Sequence, residues 1–176
     1  AFRRRHRAVD VAVPRWLAPL KRPAVSGPTI GVVGPLSNAA SYQSVPALRV
    51  QTGKESEDWS KNELPPGPAG GPGTPRGVAA AVARGSRRRL VDVPVLNGFC
   101  LFVKAEVVEA VGLMDEVAFP HGFGEENDFA LRALAAGYSL KVADDVYVWH
   151  HKSKSYGDAT RQALSAGSAE AMRERW

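Results

Sequence analysis

The chain has 176 residues, of which 44% are hydrophobic and 23% are charged, and its net charge is +5. This length and composition are typical of one globular domain with a core of its own. The single cysteine, Cys100, excludes an internal disulfide and a cysteine-rich zinc site, and its apolar surroundings predict a buried, unreactive thiol. No apolar run approaches the roughly 18 residues of a membrane-spanning helix, which excludes such a helix within this sequence.

Positive charge is concentrated at the amino-terminal end. Residues 1–22 carry seven basic side chains against Asp10 alone, so this segment has a net charge of +6 and the remainder is nearly neutral. A basic arm can bind nucleic acid or an anionic membrane surface. Because no Phe, Tyr or Trp lies between Arg3 and Arg7, we instead expect a solvated terminal segment.

The first half of the chain predicts few regular elements. Residues 8–20 predict a short strand, a turn and the start of a helix. Residues 29–33 predict a buried strand that leads into a polar loop, which is how α/β folds build sites at the carboxyl ends of strands. Residues 51–77 contain too much proline and glycine for a helix or strand and predict a long surface loop. Residues 78–90 then predict a short alanine-rich helix.

The second half shows stronger periodicity. Residues 91–104 predict a buried strand with a break near Asn97, and a helix that stops at Gly112 follows. A further helix is predicted from about residue 125 to 136, with Gly137 at its end. The alternation of apolar side chains beyond it predicts strand segments joined by a turn at two adjacent aspartates.

Three acidic residues, Glu125, Glu126 and Asp128, fall in the first turn of that predicted helix, after a loop that contains Gly122 and Gly124. One interpretation is structural, because acids near a helix amino terminus interact with its dipole and stabilise it by about 0.3–1 kcal/mol each. The other is functional, because the glycines allow the backbone to approach a ligand closely. The three residue types alone do not decide between the two.

The end of the last strand adds imidazoles to these carboxylates. Asp144 and Asp145 lie in the predicted turn, and His150 and His151 end the strand on opposite faces. Carboxylates and imidazoles near a loop are the groups of general-base catalysis with a divalent ion bound by oxygen and nitrogen. The following loop, HKSKSYG, has lysines and hydroxyls that can bind a phosphate. The alternatives are a structural histidine and a solvated loop.

Three segments in this order resemble the carboxyl-terminal half of family 2 glycosyltransferases, which have the GT-A fold: LNGFCLFVKAEVVEAVGLMDE, FPHGFGEENDFALRALAAGY and VADDVYVWHHKSKSYG. IGVVGPLSNAASYQSVP resembles the segment that follows the metal-binding motif of these enzymes. The resemblance covers about residues 9–50 and 91–157. It implies an α/β class with a partial GT-A fold, in which a mixed sheet is flanked by helices.

The resemblance also implies a domain organisation. Residues 1–157 are expected to form a partial GT-A domain with the Pro/Gly-rich loop at 51–77, and residues 158–176 a carboxyl-terminal helical tail. The family's amino-terminal half, which holds the nucleotide, has no counterpart in this sequence. We therefore expect a chain that is truncated at the amino terminus and weak or inactive alone.

The family performs an inverting transfer of a sugar from a nucleotide-sugar donor to an acceptor hydroxyl. Glu126 falls at the position of the catalytic base, which removes the proton of the attacking hydroxyl, and Glu125 precedes it. Asp128 matches a further acid, expected to orient the acceptor or to cap the helix. Three more residues are expected to contact the donor: Lys152, Ser155 and Asn38.

The resemblance implies Mg²⁺ or Mn²⁺ as a cofactor that bridges the donor diphosphate. Asp10 matches the last position of the family's metal-binding motif, and Ala8 stands where an acid or amide is usual. His150 matches a later histidine that joins the metal or the diphosphate. His151 is the alternative, because the doubled histidine leaves the register open.

The expected partners are a nucleotide-sugar donor and a glycan or lipid-linked acceptor, in polysaccharide or cell-envelope glycan synthesis, with no nucleic acid. The expected location is the cytoplasm, with peripheral contact at the inner face of the membrane as an extension. One alternative is a non-catalytic module that binds a nucleotide or a glycan. The other is a nucleic-acid-binding protein that uses the basic arm together with Arg84, Arg87, Arg88 and Arg89.

Overall fold

The computed structural model describes residues 11–12, 16–45, 71, 73–120, 122–150 and 158–176, and for 11–12 and 158–166 it describes the backbone alone. Within these residues the chain forms five strands and five α-helices. In chain order they are β1 (Val11–Ala12), α1 (Leu17–Ser26), β2 (Ile30–Leu36), α2 (Pro75–Gly85), β3 (Leu90–Asp92), β4 (Phe102–Val103), α3 (Ala105–Val111), α4 (Glu125–Ala135), β5 (Ser139–Trp149) and α5 (Asp158–Arg175). A short 3-10 helix, Ser41–Gln43, follows β2.

The sheet is built around β5, its longest strand. β5 runs parallel to β2, with Val32 paired to Leu140 and Gly34 to Val142, and β4 pairs antiparallel with the outer edge of β2. Along its other edge, β5 pairs antiparallel with β3 in its first half and with β1 at its end. The result is a mixed sheet flanked by helices, which confirms the predicted α/β class.

Each face of the sheet buries an apolar cluster, because successive side chains of a strand point to opposite faces. On one face, Val32 packs with Val107 of α3 and Phe129 of α4. On the other face, Val33 packs with Leu20 of α1. Burial of side chains of this size contributes about 1.5–3 kcal/mol each. The two clusters therefore hold α3 and α4 on one side of the sheet and α1 on the other.

β5 runs without interruption through Asp144 and Asp145, so the turn predicted there is wrong. Between Ala143 and Tyr147 the pairing with β2 shifts, which leaves residues 144–146 as a bulge. A bulge bends a strand and lets residues that favour turns remain within it. The Asp-Asp step therefore reshapes the strand without ending it.

The predicted strand over residues 91–104 is also wrong as a single element. β3 and β4 lie at its two ends, and they pair with different strands: β3 with β5 and β4 with the far edge of β2. The chain must therefore cross the sheet between them, on the face where Leu96 packs with Val32. This crossing carries Asn97 and Gly98 over the sheet.

The helices agree with the sequence signals, except that the helix predicted over residues 78–90 is shifted at both ends, because α2 spans Pro75–Gly85. α2 begins at Pro75, inside the predicted loop 51–77, because the Thr74 side chain accepts a hydrogen bond from Gly77 N at 3.2 Å and proline suits a first turn. Residues 46–70 and 72 lie outside the described residues, so the rest of that loop stays a prediction. The helices predicted before Gly112, from about residue 125, and at the carboxyl end are confirmed as α3, α4 and α5.

Composition led to two expectations, one about the burial of Cys100 and one about membrane-spanning helices. Cys100 was predicted to be buried, but it is only half-buried, because it packs at the edge of the cluster around Leu20. Over the described part of the chain, no helix combines the length and the apolar character that crossing a bilayer requires.

Candidate functional site

The candidate site lies where the parallel strands β2 and β5 end, which is where α/β sheets usually bind their ligands. β2 ends at Leu36 and continues into a loop of residues 37–44, and β5 ends at Trp149, directly before His150. Two predicted site residues, Asn38 and His150, meet at this end of the sheet although they are 112 positions apart in the sequence.

The Asn38 side chain and the His150 backbone form a reciprocal pair. Asn38 Nδ2 donates to the His150 carbonyl at 3.0 Å, and Asn38 Oδ1 accepts from His150 N at 2.7 Å. Because Asn38 is fully buried, this arrangement gives it the role of holding His150, and its contact with a donor stays a prediction. His150 Nδ1 lies 2.9 Å from the Ala39 carbonyl. Since a carbonyl only accepts hydrogen bonds, Nδ1 carries the proton, and the lone pair of the neutral ring is on Nε2.

The buried side chain of Gln43 connects the end of β2 to the crossing segment. Its Nε2 donates to the Pro35 carbonyl at 2.7 Å, and its Oε1 accepts from Asn97 N at 2.7 Å. Gly34 makes room for the amide, because a Cβ at that position would lie 2.5 Å from Gln43 Nε2. Asn97 Oδ1 in turn accepts from Phe99 N at 3.2 Å. With both ends of the amide bonded, the crossing segment is held in a defined position at the site.

The crossing segment contacts both the predicted base, Glu126, and a predicted metal ligand, His150. The Phe99 ring stacks on the His150 imidazole, with centroids 5.0 Å apart and an interplanar angle of 13°. The adjacent Gly98 lies against Glu126, since a Cβ on Gly98 would be 3.3 Å from Glu126 Cβ and 3.6 Å from Glu126 Cδ. The structure therefore brings Asn38, Glu126 and His150 into one region, although they come from three separate segments.

The Glu126 carboxyl has an environment suited to accepting a proton. Partial burial raises the pKa of the Glu126 carboxyl above its usual range, and the charge of Glu125 raises it further, while backbone N–H groups offset part of the rise. Glu125 Oε2 accepts from Gly124 N at 3.0 Å. Among the described residues, no Lys, Arg or His forms an ion pair with either glutamate. General-base catalysis is most effective when the pKa of the base lies near the working pH, and a raised pKa brings a carboxyl closer to that condition.

Asp128 has a different environment from the one predicted. The carboxylate is fully buried and accepts hydrogen bonds from Arg132 Nε at 2.8 Å and from Trp176 Nε1 at 3.1 Å, with Arg175 Nε 3.4 Å away. Both of these hydrogen bonds to Asp128 come from side chains and neither comes from a backbone N–H group of the first turn of α4, so the expectation that Asp128 caps the helix has no support. Its alternative role of orienting an acceptor has no support either, because both carboxylate oxygens are occupied by side chains of α4 and of the carboxyl-terminal residues.

The glycine loop before α4 is shaped by packing. Gly122, Phe123 and Gly124 have φ angles of 83°, 67° and 158°, a region that favours glycine. A Cβ on Gly124 would lie 2.8 Å from Phe119 Cε1, and Ser168 Oγ donates to the Gly122 carbonyl at 3.0 Å. The loop is therefore held by the fold, and the predicted close approach to a ligand stays a prediction.

The predicted metal site is described only in part. Over the described ranges, no group of three or more His, Cys, Asp or Glu side chains is arranged to hold a metal ion. His150 meets one requirement, because a ligating histidine usually donates its other ring nitrogen to an acceptor, as Nδ1 does to Ala39. Asp10 and His151, the other predicted ligands, lie outside the described residues. One imidazole does not make a divalent site, so metal binding stays a prediction.

The register of β1 bears on Asp10. Val11 pairs with Trp149, so the residue that follows Asp10 in the sequence lies beside the residue that precedes His150. The two segments that carry predicted ligands are therefore neighbours in the sheet. The predicted donor contacts of the HKSKSYG loop lie outside the described residues: Lys152 and Ser155.

Some residues that build the site were not singled out in the sequence. Gln43 lies in the polar loop after β2, and Phe99 follows an Asn-Gly step inside an apolar segment. The Asn-Gly step was the available signal, because such a step in an apolar segment marks a turn. That this turn would stack a ring on His150 depends on contacts between distant parts of the chain.

No family model matches the chain. It is similar to uncharacterized proteins of Mycobacterium bovis and of two strains of Mycobacterium tuberculosis, with 36% identity over 70 residues. The aligned stretch covers 39% of this chain and 27% of each relative, so the chain spans about a quarter of the length of the curated relatives it matches. The names of these proteins state no activity, and function must be argued from the site.

Proposed function

We propose that the chain belongs to an inverting glycosyltransferase of the family 2 type with a GT-A fold, which transfers a sugar from a nucleotide-sugar donor to an acceptor hydroxyl. The observation that carries this proposal is the Glu126 carboxyl. It is partly buried, its pKa is raised by burial and by Glu125, and it lies against Gly98, next to the stack of Phe99 on His150. These are properties of a general base.

In the proposed reaction, Glu126 takes the proton of the acceptor hydroxyl while that oxygen attacks the anomeric carbon. The bond from the anomeric carbon to the diphosphate breaks, the diphosphate leaves with the bonding electrons, and attack from the opposite side inverts the configuration. Glu125 keeps the affinity of Glu126 for the proton high through its negative charge. The divalent cation proposed for Asp10, His150 and His151 would supply neutralisation of charge on the leaving diphosphate.

The partners follow from the same resemblance. The proposed acceptor is a glycan or a lipid-linked sugar in polysaccharide or cell-envelope synthesis, and the proposed donor contacts are Lys152 and Ser155. The proposed location is the cytoplasm, with peripheral contact at the inner face of the membrane. A non-catalytic protein that binds a nucleotide sugar is the alternative that the experiment below distinguishes.

The test compares purified protein with its Glu126→Gln variant. Both are incubated with Mn²⁺, a set of labelled uridine, guanosine and thymidine diphosphate sugars and oligosaccharide acceptors, and the labelled product is quantified. Slow transfer is expected, and Glu126→Gln should lower it by about 10²- to 10⁴-fold while donor affinity stays within about twofold. Glu116→Gln is the matched control, because Glu116 is exposed in the turn before the site and should leave transfer unchanged.

The other outcomes are equally informative. Donor binding with no transfer by either protein would favour the non-catalytic alternative. No binding of any nucleotide sugar, or transfer that survives Glu126→Gln unchanged, would overturn the proposal.

A further inference from the structure

The carboxyl-terminal helix contacts both sides of the turn that carries Glu126. On the side before Glu126, Ser168 of α5 is buried and its Oγ donates to the Gly122 carbonyl at 3.0 Å. On the side after it, Trp176 Nε1 donates to Asp128 Oδ1 at 3.1 Å. The turn is therefore attached to α5 and its following residue at two points that flank Glu126.

Arg175 extends the second attachment to another part of the fold. Its Nη1 donates to Asp115 Oδ2 at 2.7 Å, in the loop after α3, and its Nε lies 3.4 Å from Asp128 Oδ1. Hydrogen bonds from the Ala118 backbone N–H and from the Arg175 side chain hold the pKa of Asp115 at about 2, so this partner stays charged. Arg132 completes the compensation of Asp128 from within α4, at 2.8 Å. The buried Asp128 charge is thus matched by two cations.

The attachments oppose a repulsion in the same turn. Glu125 and Glu126 are adjacent carboxylates that no described cation pairs with, and the first turn of a helix is where the helix opens most easily. Holding Gly122 on one side and Asp128 on the other restricts that opening. The Glu126 carboxyl is thereby kept against Gly98, in the crossing segment that also contacts His150.

We propose that Ser168, Arg175 and Trp176 act together as a clamp that positions the turn of Glu125 and Glu126. They are positioning residues, because they contact the turn and not the reacting atoms. The clamp consists of these contacts, and its value for catalysis rests on the proposed function of Glu126.

The experiment measures amide hydrogen exchange across residues 122–128 in the full chain, with thermal unfolding as a check on folding. Ser168→Ala removes the hydrogen bond to the Gly122 carbonyl, and Arg175→Gln removes the ion pair with Asp128 and the hydrogen bond to Asp115. Arg173→Gln is the matched control, because Arg173 lies in the same last turn of α5, is exposed, and has no ion pair among the described residues. Arg175→Gln and Ser168→Ala should speed exchange in the turn by about tenfold, and Arg173→Gln should not.

If the protein transfers sugar, the kinetics of transfer give a second measurement of the effect of the clamp variants. A positioning defect should lower kcat by about tenfold and leave the donor KM within about twofold, because the proposed donor contacts, Lys152 and Ser155, are not part of the clamp. Exchange in the turn that stays equal to the Arg173→Gln value in both clamp variants would overturn the inference. If Arg175→Gln does not fold, Ser168→Ala decides. Exchange is measured without substrate, so absence of transferase activity would count against the proposed function and not against the clamp.

Discussion

Two pairs of adjacent acids, Glu125 and Glu126 at the start of α4 and Asp144 and Asp145 in the bulge of β5, are treated differently by the fold. Asp145 Oδ2 lies 2.5 Å from Arg22 Nη2 and 3.7 Å from Arg88 Nε, and Asp144 Oδ1 accepts from Ser86 Oγ at 2.8 Å. The glutamates have no cationic partner among the described residues, and burial raises the pKa of Glu126.

This difference in ionic partners distinguishes acids whose charge stabilises the fold from an acid, Glu126, whose charge does not. The aspartates precede the histidines and are candidates for chemistry in the sequence, but their partners identify them as structural. Asp128 lies in the same turn as the glutamates and belongs with the aspartates, because arginines compensate it. An acid that is partly buried and uncompensated lowers stability, and functional sites are where proteins retain such groups.

The largest effect on stability is expected from removing a compensated, buried acid. Asp128→Ala should lower the free energy of unfolding by about 3 kcal/mol, because Arg132 and Arg175 would keep charges without their buried partner. Urea unfolding measures the change. Glu109→Ala, on the exposed side of α3, should stay within about 0.5 kcal/mol. If the two substitutions lowered the free energy of unfolding equally, the ion pairs of Asp128 would not be what stabilises the fold.

The opposite sign is expected for Glu126, which has no cationic partner in the described part of the chain. Glu126→Gln should raise the free energy of unfolding at pH 7 by about 0.5–2 kcal/mol, because the folded protein no longer has to hold a disfavoured charge. The folded pKa of Glu126 lies above its ordinary value of 4.5, so wild-type stability falls as pH rises through the interval between the two. Below 4.5 both states are protonated, and the advantage of the variant should disappear. Urea unfolding at pH 7 and below 4.5 tests this, and a destabilised variant at pH 7 would contradict it.

A smaller loss is expected at the bulge. Asp145→Asn should lower the free energy of unfolding by about 0.5–1 kcal/mol, because its partners Arg22 and Arg88 are partly exposed and solvent screens them. The loss should shrink in 1 M salt. Asp92→Asn is the control, since Asp92 is exposed and pairs with Lys141, its one ionic partner among the described residues. A loss that salt does not change would mean that the ion pairs do not stabilise the bulge.

The smallest effect is expected at Asp115, which is half-buried and whose partner Arg175 is exposed to solvent. Its depressed pKa of about 2 means that its contribution to stability is complete above the ordinary value of 3.8 and is lost as pH falls through about 2. Carboxyl chemical shifts across this interval measure the titration directly. In Arg175→Gln, which removes one of the hydrogen bonds to Asp115, the midpoint should move toward 3.8. An unchanged midpoint would show that Arg175 does not contribute.

Elements with local signals agreed with prediction, and those that depend on distant partners did not. α4 was predicted from glycines and acids at its start and a glycine after its end, which act within a few residues. The turn predicted in β5 failed because Asp-Asp favours turns locally, whereas Arg22, 123 positions away, holds Asp145 in the strand. The strand predicted over residues 91–104 failed because its two ends pair with different strands.

The residues alone were sufficient for most of the helices, because periodicity and helix signals act over short distances, and the resemblance added the α/β class and singled out Glu126 and His150. Which carboxylates are compensated, which nitrogen of His150 carries its proton, and whether the candidates meet depended on the folded chain. Charge pairing and burial act through space, between segments as far apart as Asn38 and His150, which are separated by 112 positions. Contacts between residues so far apart produce no pattern in the local sequence. A resemblance can name these residues, but only their packing in the folded chain assigns each a physical role.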